Sequence, residues 1–168
     1  MQLTKMYLSV LEREVERTQR ALLDVPEGHD EWKPHPKSME FGRLVGMIAS
    51  MPSWVALIIT EDELDIAPDV PHHAPPPLCT RDELRSALEK AAESARVALS
   101  GTTDVFLETS WTLKAHGKAV SVMSRSDMIT DTFAHLAHHR GQLTVYLRLL
   151  DATVPALYGP SADDPRYT

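Results

Sequence analysis

The chain has 168 residues, of which 43% are hydrophobic, with 17 Lys+Arg against 24 Asp+Glu for a formal charge of −7. That is globular composition and room for one domain, residues 1–168, with a proper core but not for two. The acidic balance excludes a phosphate-backbone partner, because nonspecific nucleic-acid binding is carried by cationic charge, and the single cysteine, Cys79, excludes an internal disulfide and fits a reducing, cytoplasmic setting.

Leu3, Met6, Val10, Val15, Thr18 and Leu22 recur at helical spacing, with Glu12, Arg13, Glu16, Arg17 and Arg20 between them. This predicts an amphipathic first helix of about six turns. Its charges exclude a signal peptide or a membrane span, and no later stretch reaches 18 uncharged apolar residues. The proline-rich run from Asp24 to Ser38 reads as a loop. A second helix is expected from Met39, capped by Ser38, with Phe41, Leu44, Val45, Ile48 and Met51 on one face. Pro52 lies inside it and predicts a bend over 47–52.

From about Glu61 to Cys79 the chain turns acidic and then proline-rich, which predicts a long crossover. Thr80-Arg81-Asp82-Glu83 reads as a capping box opening a third helix, with Leu84, Leu88, Ala91, Ala95 and Ala98 as its seam and Gly101 as its stop. Trp111 and Leu113, then Val120 and Val122, alternate on either side of His116-Gly117 and predict a hairpin. Ser124 and Asp127 open a last helix reaching about Leu150, whose seam is Leu136, His139, Leu143, Tyr146 and Leu150. An irregular surface tail is expected from Thr153. The sum is an all-α four-helix bundle with a long crossover between helices two and three and a small hairpin before helix four. The crossover predicts that helices two and three run parallel.

Of the eight histidines, His135, His138 and His139 fall within five positions. His135 and His139 are one turn apart, so both imidazoles can reach one atom, whereas His138 is rotated by about 100° from His139. Imidazole ligates zinc, nickel, copper and iron. Because His139 lies on the apolar seam, the pair should face inward, and a third ligand would have to come from another helix. Spacing alone leaves two readings open, a metal pair or two histidines sharing a face by chance. His29, His35, His72 and His73 read as loop surface residues and His116 as part of a turn. Asp131 is either a hydrogen-bond orienter for His135 or a solvated acid favoured by the helix dipole. Cys79 beside a helix N-cap reads as incidental. Trp32, Trp54 and Trp111 should close the bundle ends, Trp54 with a possible place in a pocket. Arg140 and Gln142 could pair with loop acids or support a dimer, and Gly141 suggests a close helix contact.

HLAHHRGQLTVYLRLL with VPALYGPSADDP, WKPHPKSMEFGRLVGMIASMPSW and WTLKAHGKAVSVMSR together resemble the DinB-like (DinB/YfiT) metalloenzyme family, collinearly over nearly the whole chain. The resemblance implies an up-down-down-up bundle that tends to homodimerise. It also implies a divalent metal, nickel or zinc, held by three histidines and serving hydrolase or thiol-transferase chemistry on a small molecule. Two of those ligands carry over onto His135 and His139. The third, on the second helix, does not: Met47 stands in its place, and a neutral thioether is a poor ligand for either ion. Two functions therefore stay open, a metal-dependent enzyme with a weakened site or a metal-free binding or structural homodimer.

Overall fold

The computed structural model describes residues 2–68, 78 and 80–164. His72, His73 and Cys79 lie outside them, as does most of the expected crossover. Among the described residues six helices and a three-stranded sheet follow one another as α1 (Leu3–Leu23), α2 (Phe41–Ser50), α3 (Ser53–Thr60), β1 (Glu63–Asp65), α4 (Arg81–Gly101), α5 (Asp104–Leu107), β2 (Ser110–Ala115), β3 (Lys118–Ser124) and α6 (Arg125–Leu149).

The expected second helix is two helices. With no N–H at Pro52 and its ring against the preceding turn, the chain breaks after Ser50, and α2 and α3 meet at 55°. The start also differs, because Glu40 rather than Ser38 occupies the cap, without a side-chain bond. The loop before it crosses α2 closely: Gly42 N–H donates to Asp30 at 2.9 Å, and a Cβ at Gly42 would lie 2.9 Å from the Asp30 carboxylate. The Thr80–Glu83 capping box forms as expected. Gly101 is instead the last helical residue of α4 and does not adopt positive φ.

The hairpin forms with β2 antiparallel to β3. His116 and Gly117 both take positive φ (52° and 71°), the geometry of a tight two-residue turn matched to strand twist. The sheet has a third strand that the sequence did not suggest. β1 pairs parallel with β2, Leu64 opposite Leu113, at the start of what reads as crossover. A three-residue strand is too short to show alternation. It is held from outside, by Arg125, which is 2% exposed and donates to the carbonyls of Ile58 and Glu61 and to Asp62.

One hydrophobic core joins α1, α2, α3, α4 and α6, with Trp111 of β2 closing one end. Cross-helix bonds give the relative directions. Tyr7 donates to the Ser126 carbonyl (2.8 Å), and Arg140 donates to the Glu14 carbonyl (2.9 Å), so α1 and α6 run the same way. Tyr146 donates to the Met39 carbonyl (3.0 Å) and the Trp54 ring lies tilted against His135, so α2 and α3 run against α6. Glu12 pairs with Arg96, while Glu27 and Val25 accept from Arg81, so α1 and α4 are antiparallel. No single helix among the described residues is long and apolar enough to cross a membrane.

Arg140 has no exposed surface. Its guanidinium donates to the Glu14 carboxylate, to Thr18 Oγ1 (2.9 Å) and to the Tyr158 hydroxyl. Its partner is thus a helix acid, not a loop acid. The tail is more than a surface strand, since Ala156 and Leu157 are buried and Tyr158 reaches this network. Removing one member of a buried ion pair strands the other in low dielectric. Glu14→Ala is therefore expected to cost about 3 kcal/mol or more, and Tyr158→Phe roughly 1 kcal/mol. Urea denaturation midpoints at constant slope check both.

Candidate metal centre

The helix α6 is capped by Ser124, whose side chain accepts from Asp127 N–H, and runs uninterrupted through the histidines. Four residues advance the helix by one turn and about 40°, so His135 sits slightly off the seam that His139 occupies. That offset explains their unequal burial. His139 is 7% exposed, between Leu136 and Leu143, while His135 lies at the exposed rim. The two rings nevertheless converge, with Nε2 facing Nε2 at 2.7 Å and centroids 4.5 Å apart. The Trp54 ring stands 5.6 Å from His135 and forms the outer wall.

Gln142, one turn further along α6, connects the cluster. Its Oε1 is 2.7 Å from His139 Nδ1, and its Nε2 is 3.0 Å from His138 Nε2. His138 is exposed beside His139, ring centroids 5.1 Å apart.

Met47 is half-buried on α2. Two contacts bracket its height on α6: Met39 lies at Tyr146 and Trp54 at His135. Met47 falls midway between Met39 and Trp54, and His139 lies between Tyr146 and His135.

Whether these residues fit a metal depends on the donors. Ion-to-imidazole bonds of about 2.0–2.1 Å at tetrahedral angles put two nitrogens roughly 3.3 Å apart. From 2.7 Å the observed pair needs to open by roughly 0.6 Å, and His135 at the exposed rim is the member free to move. The pair thus fits as two ligands. A third does not come with it: no group of three or more His, Cys, Asp or Glu that could hold an ion occurs among the described residues. Asp131 is exposed and makes no bond to His135, so it is the solvated acid of the two alternatives. His29 and His35 are exposed in the loop before α2, and His116 is in the hairpin turn. Trp32 packs edge-on against Tyr146, and Trp111 donates to the Glu61 carbonyl. A Cβ at Gly141 would meet nothing within 4 Å among the described residues, so no close approach among them requires that glycine. Spacing of three and four along α6 could have singled out Gln142 from His138 and His139; the sequence carries no comparable signal for Tyr158.

The sequence model of the DinB family matches residues 1–167. The chain belongs to the DinB family. Among solved structures, a DinB-like protein from Bacillus cereus ATCC 10987 superposes with a TM-score of 0.66 at 22% identity, covering 90% of this chain and 95% of that one. A DinB-like protein from Bacillus subtilis, YjoA, superposes with a TM-score of 0.65 at 17% identity, over 95% and 99% of the two chains. At these identities the likeness concerns the fold. No curated protein matches the sequence.

Burial, then the neighbouring imidazoles of His139 and His138, hold His135 below the ordinary value of 6.5. The unfolded chain therefore takes up this proton at higher pH than the folded one. The stabilisation is complete above the ordinary value and is lost as pH falls toward and through the depressed one. Thermal melts between pH 8 and pH 5 should show stability falling below about 6.5, with a shallower fall in His135→Gln.

Proposed function

We propose that this DinB-family protein is a divalent-metal protein of hydrolase or thiol-transferase type whose centre is reduced to the two imidazoles of His135 and His139. The observation that carries the reading is the convergence of the two Nε2 atoms beside Trp54, one buried and one at the rim. Family membership adds the expectation of nickel or zinc. The relative directions of the helices support an up-down-down-up four-helix bundle, in which α2 and α3 count as one broken member.

A bound divalent ion supplies Lewis acidity, polarising a carbonyl or lowering the pKa of a coordinated water. The residues contribute the rest. His139 is held by packing and by Gln142, His135 can move outward, and the Trp54 ring walls the approach with an apolar face. The candidates for general base are Asp131 and His138, both exposed, His138 with its ring 5.1 Å from that of His139. Two imidazoles hold an ion less tightly than three, and Met47 adds little for a hard or borderline ion. The substrate is a small molecule entering from the His135 rim, and the protein works in the cytoplasm as a homodimer without nucleic acid.

A second reading has its own support in the absence of a third ligand among the described residues. In that reading the 2.7 Å contact between the rings is simply a hydrogen bond, and the protein acts as a metal-free binding or structural homodimer.

Elemental analysis of protein purified without a histidine tag separates the two. The metal reading expects zinc, nickel or iron approaching one per chain in wild type and none in His139→Ala. Met47→His should raise zinc affinity by roughly 10-fold or more, about 1.4 kcal/mol. Metal well below one per two chains, unimproved by Met47→His, would leave the metal-free reading standing.

A further inference from the structure

The polar contacts around His139 form a chain in which each donor determines the next. A carboxamide is asymmetric, since its oxygen only accepts and its nitrogen only donates. With Oε1 of Gln142 at 2.7 Å from His139 Nδ1, that nitrogen must carry the proton. A neutral His139 then has its lone pair on Nε2, and the proton in the 2.7 Å contact with His135 belongs to His135 Nε2. At the other end, Gln142 Nε2 donates over 3.0 Å to His138 Nε2, so His138 carries its proton on Nδ1. One amide orientation thus sets the tautomers of three imidazoles.

We infer that Gln142 is the positioning residue of the centre, holding the buried His139 as the Nδ1–H tautomer with its Nε2 lone pair aimed at the shared point. The inference rests on the metal reading only for its purpose, since the tautomers are properties of the metal-free protein. Its consequence is a division of labour within the pair. His139, buried and bonded at Nδ1, is ready to ligate without any proton movement. His135, whose proton lies on Nε2, must transfer it to Nδ1 before ligating, and its exposure to water at the rim provides the route. To offer both Nε2 lone pairs to an ion, the neutral pair would need one tautomer exchange, at the exposed His135 ring, with no net loss of a proton. The amide here does what a carboxylate or backbone carbonyl does for many metal-bound histidines, fixing ring orientation and raising ligand basicity.

Long-range proton–nitrogen spectra of uniformly nitrogen-15-labelled, metal-free protein at pH 8 test this directly. Wild type should show His139 protonated on Nδ1, His135 on Nε2 and His138 on Nδ1. Gln142 is exposed, so its variants should fold. Gln142→Leu should release His139 toward the Nε2–H form and weaken zinc binding roughly 10-fold or more, measured by competition with a chromophoric chelator. Gln142→Glu supplies the diagnostic rescue. Its carboxylate still accepts from His139 Nδ1–H, but it can no longer donate, so His138 should switch to Nε2–H while zinc affinity is kept or improved. His139 protonated on Nε2 in wild type, or tautomers unchanged in Gln142→Leu, would overturn the inference. Wild type with the stated tautomers but no zinc binding would overturn the metal reading alone.

Discussion

The roll of α6 about its axis is the constraint on which the site depends, and Arg140 sets it. A guanidinium without exposed surface cannot leave its partners cheaply, and those partners lie on α1 and on the tail. Adjacent residues on a helix point about 100° apart, so pinning Arg140 toward α1 directs His139 into the groove between α6 and the broken helix α2–α3. The same roll leaves His135 at the rim and His138 outside.

Around that constraint separate segments are fastened to α6 at successive levels. Pro52 breaks the second helix, and the break carries Trp54 over the His135 ring. Arg125, almost equally buried, ties the base of the hairpin to the end of α3 and draws a short strand into the sheet. Tyr158 brings the tail back to the Arg140 cluster. Neither arginine touches the imidazole pair, yet each closes a loop in the chain whose opening would release the helices that frame it.

The chemistry that results is asymmetric. One imidazole is buried, oriented by an amide and flanked by leucines; the other is half out, beside an indole, with its charged form disfavoured by burial and by two neighbouring rings. Such a pair has one rigid and one adaptable member. Met47 stands where the family resemblance implies a second-helix ligand, so in the proposed reading an ion would be held by the α6 pair alone.

Local pattern was enough for much of this. Apolar spacing identified α1, α4 and α6; Thr80–Glu83 and Ser124 marked two helix starts; alternation about His116-Gly117 marked the hairpin. The one-turn spacing of His135 and His139 placed them on one face. These are short-range matters, decided within a turn or a strand pair. Tertiary contacts decided what local pattern could not: the split of the second helix into two, the strand β1, the end of α4 beyond Gly101's expected role, and the pairing of Arg140 with Glu14 and Tyr158, 126 and 18 residues away. A charged residue on an amphipathic helix reads as solvated unless something distant satisfies it. Only the folded chain brings that distant partner near, because burial of an ionic group is a property of the whole packing and not of its neighbours in sequence.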